Sequence, residues 1–173
     1  MSARHPIARF VTTLVFLAVA SVPDPAVAAP SPGAWLWPVS GPVIEAFDPP
    51  DSPFGSGHRG IDIATPVGTD VVAPADGTVT FAGPVGGRRF VTIDHGDGLR
   101  STVSFVEALR VRAGDVVGAG QVVASSGTGH AAEGVPHVHV GVRVVDTYVD
   151  PMDYLAPPSV TTFIRLAPCC AEA

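Results

Sequence analysis

The chain predicts an all-β domain, and three observations carry that expectation. Beyond residue 29 no stretch sustains the 3.6-residue apolar period of a packed helix. Short runs rich in valine, isoleucine, threonine and phenylalanine recur instead, several with apolar and polar residues in alternation. Glycine- and proline-bearing clusters such as Gly83-Pro84, Gly86-Gly87 and Gly96-Asp97-Gly98 separate the runs. Strands at such regular spacing build either a sandwich or a partly open barrel.

The elements follow in order. Arg4 and Arg9 precede an apolar run from Phe10 to Val22, and Ala26-Val27-Ala28-Ala29 offers small residues for cleavage, so residues 1–29 read as a secretory signal. The apolar run falls short of the roughly 20 residues of a membrane-spanning helix, and Pro23 and Pro25 follow it. Once it is removed, no stable membrane span is expected; the alternative is a segment kept as a single-span anchor. Residues 30–34 form a Pro/Gly/Ser linker, and the domain begins at Trp35-Leu36-Trp37-Pro38-Val39. Strands are expected at Val71 to Val72, Gly77 to Ala82, Phe90 to Asp94, Arg100 to Val106, Gln121 to Ser125 and Val138 to Val145. The run Gly127-Thr128-Gly129-His130-Ala131-Ala132-Glu133-Gly134 reads as a loop at a cleft edge, and residues 157–173 as a tail. A single domain over residues 35–156 is the expected organisation, since 173 residues support one core with extensions.

Composition excludes some partners. All ten basic residues are arginine, against sixteen acidic ones, and loss of Arg4, Arg9 and Asp24 with the signal moves the net charge from −6 to about −7. Nucleic acid recognition needs a basic footprint that this chain lacks. The arginine bias, with abundant alanine, valine, glycine and proline, fits a GC-rich bacterial genome. Cys169 and Cys170 are adjacent in the tail and frame neither a disulfide scaffold nor a zinc knuckle.

The chemistry lies in two short segments, His58-Arg59-Gly60-Ile61-Asp62 and His137-Val138-His139. In extended chain, residues two or four apart share a side, so His58 and Asp62 face together, as do His137 and His139. Ile61, Ile63, Val138, Val140, Val142 and Val144 then turn into a core. Two imidazoles and a carboxylate with one open position make a normal zinc shell. Each segment is weak evidence alone, because any strand can carry two exposed histidines; their co-occurrence in a chain of six histidines points to a shared metal site. Gly60 lies between two of these residues, either because a side chain would intrude on the metal or as a simple turn glycine.

Longer blocks carry a resemblance. His58-Arg59-Gly60-Ile61-Asp62-Ile63-Ala64, Pro66-Val67-Gly68-Thr69, Val72-Ala73-Pro74-Ala75-Asp76-Gly77-Thr78-Val79, Ile93-Asp94-His95-Gly96-Asp97-Gly98-Leu99, Gly120-Gln121-Val122-Val123-Ala124 and Pro136-His137-Val138-His139-Val140 occur in order. This set resembles the lysostaphin-type zinc metalloendopeptidases, which cut peptide links in bacterial cell walls, and covers about residues 36–156. The resemblance implies an antiparallel β sandwich or partly open barrel of the duplicated-hybrid-motif type, with an open metal cleft. It implies Zn2+ on His58, Asp62 and His139, and a catalytic, non-ligand role for His137 facing water and substrate. It further implies a secreted, wall-associated protein acting on peptidoglycan.

One departure matters. The family carries a second non-ligand histidine in a Tyr-x-His pattern, and here Val103 and Phe105 stand at those positions. The metal site is left intact while the cleft loses a polar group, so Phe105→His is expected to raise turnover. Of the spare histidines, His95 reads as structural, and His130 is the better candidate to compensate. Two functions therefore stay open: a peptidoglycan endopeptidase of reduced activity, or a catalytically impaired module that binds peptidoglycan or regulates another wall hydrolase. A lipoyl-like carrier domain shares the β pattern but gives no reason for the histidine segments.

Overall fold

The computed structural model describes residues 33–52, 55–130 and 134–157. The segment expected as a signal, residues 30–32 of the expected linker, residues 158–173 of the expected tail and both cysteines lie outside the described residues. Ten strands form one antiparallel sheet: β1 Val43–Glu45, β2 Ile61–Ala64, β3 Asp70–Val72, β4 Gly77–Val85, β5 Arg88–Asp94, β6 Leu99–Leu109, β7 Val116–Val117, β8 Val122–Ser126, β9 His137–Val144 and β10 Thr147–Val149. Their order is β1-β2-β9-β6-β5-β4-β7, with β10 beside β9, and β8 bridging β6 to β3. The sheet does not close into a barrel. The one helical element among the described residues is a 3₁₀ turn, Pro151–Asp153, capped by Asp150 accepting from the Met152 N–H at 2.9 Å.

Alternation builds the core as the sequence implied. Val138, Val140 and Val142 of β9 are buried, as are Val91 and Ile93 of β5 and Ile61 and Ile63 of β2. Trp35 packs over the same core against His95 and Tyr154. The segment at 35–39 that opens the domain makes a single parallel bridge, Trp35 to Leu155. Pro38 has no N–H to extend a ladder, and its carbonyl instead accepts from Val72 N–H at 2.9 Å. The bonds Trp35 N–H to Tyr154 O and Ala156 N–H to Trp35 O, at 2.9 and 2.7 Å, tie the two ends of the sheet structure together.

The strand β6 forks. Up to Ser104 it pairs with β9, with Ser104 opposite His139; from Val106 it pairs with β8, with Val106 opposite Ser126. Phe105 sits at the fork. On the other edge β5 passes from Phe90 opposite Ser104 to Arg89 opposite Val106, so Phe105 is the extra residue of a β-bulge, with φ at +62°. Such a value is uncommon for a large side chain and marks a locally strained backbone.

Candidate metal centre

Strand pairing delivers the site. β2 and β9 are antiparallel neighbours with Asp62 directly opposite His139 and Ala64 opposite His137. His58 lies before β2, not on it; its backbone is pinned by a two-way bridge to Asp48, with N–H to O distances of 2.7 and 2.9 Å. Its Nδ1–H donates to the Ala46 carbonyl at 2.8 Å, which turns Nε2 inward. That arrangement fixes the tautomer through an outer partner, as is usual for metal-binding imidazoles.

The inward atoms converge. His58 Nε2 lies 3.2 Å from Asp62 Oδ1 and 3.0 Å from His139 Nδ1, and His139 Nδ1 lies 2.8 Å from the same Oδ1. Ligands at about 2.0–2.1 Å around a tetrahedral ion are about 3.3 Å apart, so the three atoms sit close to the spacing that one small divalent cation needs. Asp62 is 1% exposed, whereas His58 and His139 are partly open to solvent. Burial raises the Asp62 pKa, but the His139 hydrogen bond and the charges of His139, His58 and His137 outweigh it. The carboxyl is pulled down from 3.8 to about 2. It is therefore ionised and ready to hold a cation at any physiological pH.

Gly60 proves to be a matter of space. A Cβ there would meet the Val140 carbonyl oxygen at 2.3 Å and the His139 ring at 2.7 Å. Only glycine lets β2 begin this close to His139.

His137 is buried beside the trio, with its Nδ1–H donating to the Val135 carbonyl at 2.7 Å. Phe105 points toward the cleft, its ring centroid 5.6 Å from that of His137 and 6.2 Å from that of His139, with the Arg88 guanidinium 4.8 Å above it. A residue outside the expected ligand and catalytic set completes the cluster. His130 places Nε2 at 2.8 Å from Asp62 Oδ2. His95 is elsewhere, buried between the Asp76 carbonyl and Ser101 Oγ, both at 2.7 Å, and burial lowers its pKa. It is a structural neutral imidazole.

The pattern of peptidase family M23 matches residues 56–151. The murein hydrolase activator NlpD of Escherichia coli is 35% identical over 124 residues, covering 70% of this chain and 31% of that protein. The chain spans between about a third and about half the length of the curated relatives it matches. Among solved structures, the antimicrobial peptidase lysostaphin of Staphylococcus simulans aligns with a TM-score of 0.62 at 29% identity, over 74% of this chain and 55% of that one. A zinc-containing peptidase from Vibrio cholerae aligns with a TM-score of 0.56 at 26% identity, over 73% of this chain and 41% of that one. Because both histidine segments fall inside a matched stretch longer than half the sequence, the chain belongs to peptidase family M23.

Proposed function

We propose that the chain is a zinc metalloendopeptidase that hydrolyses peptide bonds in the stem peptides or cross-bridges of peptidoglycan outside the bacterial cytoplasm. The observation that carries this reading is the intact trio of His58, Asp62 and His139, whose donor atoms lie 2.8–3.2 Å apart. Two imidazoles and one carboxylate with an open fourth side match a catalytic zinc shell rather than a closed structural one. Bound there, zinc lowers the pKa of its water from about 15.7 toward about 7 and polarises the scissile carbonyl. His137 keeps its proton on Nδ1, against Val135, and its Nε2 accepts the backbone N–H of His130 at 3.2 Å, so activating the attacking water requires that second bond to give way. The lipoprotein and murein-activator relatives support a place in the cell envelope.

A second reading has its own support. Relatives named murein hydrolase activator, together with Phe105, favour a module that regulates another wall hydrolase. Digestion of purified peptidoglycan separates the two. The zinc-loaded chain alone is expected to release new peptide amino termini, seen by mass analysis of the soluble fragments and absent with chelator. No release alone, with digestion by an added murein hydrolase faster in the presence of the chain than without it, would establish the activator instead.

A further inference from the structure

The sheet face that carries the metal trio continues beyond it. On β9, His139, Gly141 and Arg143 alternate with buried valines and share one side. β6 lays Ser104, Thr102 and Arg100 opposite them in register. Gly141 keeps the passage low, for a Cβ there would stand 3.8 Å from His139 Nε2 and 3.7 Å from the Tyr148 ring. The path leads into a depression of about 300 Å³ whose walls include Arg100, Arg143, Asp94, Thr92, Thr102 and Tyr148. Arg143 lies four residues along β9 from His139, about 13 Å at the rise of a strand.

Arg100 and Arg143 are direct cross-strand partners. Like charges placed so disfavour the sheet, and an anion between them relieves the repulsion. Each has one acidic neighbour: Arg100 Nε donates to Asp94 Oδ2 at 3.4 Å, and Arg143 Nη2 to Asp146 Oδ1 at 3.0 Å. Asp146 is 83% exposed, so its pair is weak and gives way easily. Arg143 Nε is buried without a partner, although its guanidinium is held over the Tyr148 ring, with Cζ 5.1 Å from the centroid. A buried donor left unpaired is costly, and a carboxylate oxygen would satisfy it. The Thr92 and Thr102 hydroxyls share one hydrogen bond at 3.0 Å, which leaves the other hydroxyl hydrogen to donate. Two arginines against Asp94 give the depression one net positive charge in a chain of net charge −6. That charge matches a single carboxylate better than a doubly charged phosphate.

We propose that Arg100 and Arg143 form a carboxylate-binding subsite of the cleft. It holds a free carboxylate of an acidic peptide about four extended residues from the bond that is cut. The peptide lies over Gly141, and Arg143, stacked on Tyr148, meets the carboxylate through its unpartnered Nε. The placing of the cut bond rests on the peptidase reading above; recognition of the carboxylate does not.

The test uses the zinc-loaded full chain and a synthetic cross-linked wall peptide in two forms. One form has free carboxylates, and in the other each carboxylate is converted to the amide. The unsubstituted chain is expected to favour the acid form by about 10- to 100-fold in kcat/KM, chiefly through KM. Raising the salt concentration should shrink that preference. Arg143→Gln and Arg100→Gln should each bring the acid-to-amide ratio toward unity. Arg143→Lys keeps the charge without the planar fork, so it should recover only part of the preference. Amidation and Arg143→Gln remove the same contact, so their effects should not add. Both arginines are partly open to solvent, and a thermal melt checks that the variants fold. If one does not, the other variant and the peptide pair decide. Equal treatment of the two peptides by the unsubstituted chain would overturn the proposal, as would a preference that both glutamine variants retain. Were the chain to cut neither peptide, the peptidase reading would fail, and dissociation constants for the same two peptides would decide instead. Tighter binding of the acid form, abolished by Arg143→Gln, upholds the subsite; equal or absent binding removes it.

Discussion

A His58→Ala protein is expected to emerge from chelator-free purification with almost no zinc and no measurable turnover of peptidoglycan. In the proposed trio His58 is one of three protein donors, and the remaining pair, Asp62 and His139, would not close a tetrahedral shell. Loss of the ion removes several kcal/mol of transition-state stabilisation, or about three orders of magnitude or more in rate. The fold should survive. His58 lies outside the strands, and its side chain makes one backbone hydrogen bond, to Ala46, worth about 1 kcal/mol. Elemental analysis and a thermal melt on the same sample separate the two effects. A variant that keeps its zinc would show that the trio is wrongly assigned.

Replacing His137 should divide metal from chemistry. His137→Ala is expected to retain zinc near the unsubstituted level while kcat drops by about 10²- to 10⁴-fold. Its Nε2 lies on the Oδ2 side of Asp62, away from the trio, and its Nδ1 is committed to Val135. The side chain is buried, so removing it leaves a cavity, and stability must be measured alongside. His137→Gln, nearer in size, gives a second reading where alanine unfolds the protein. Zinc loss as complete as in His139→Ala would make His137 a ligand and overturn this division of roles.

How much of this was legible in the sequence varies by element. β9 was plain, because valines at 138, 140 and 142 alternate with the two histidines and period 2 is a strong signal. β1 and β7 were not, since Val43–Glu45 and Val116–Val117 are too short to show any period and are strands only through their neighbours. The opening segment at 35–39 makes only one bridge, because a proline within a short run limits pairing. Alternation put His58 and Asp62 on one side, and they do meet, but it is the bridge to Asp48, not a strand, that holds His58 there.

The site was legible in its residue types and less so in its roles. Spacing pointed to His58, Asp62, His137 and His139, but nothing local separates a ligand from a bystander; that division came from resemblance, and in the structure His58 and His139 face Asp62 Oδ1 while His137 faces Oδ2. His130 was only a spare histidine in a loop. Its approach depends on β6 passing from β9 to β8 at Phe105, a bulge that no glycine announces.

The central claim is a single catalytic zinc on three residues, and counting the ion tests it most directly. Protein purified without chelator, or reconstituted and freed of excess metal, should carry about one zinc per chain by elemental analysis, and dialysis against a strong chelator should remove the zinc and the turnover together. Stoichiometry near zero that added zinc does not change would contradict both the site and the peptidase reading.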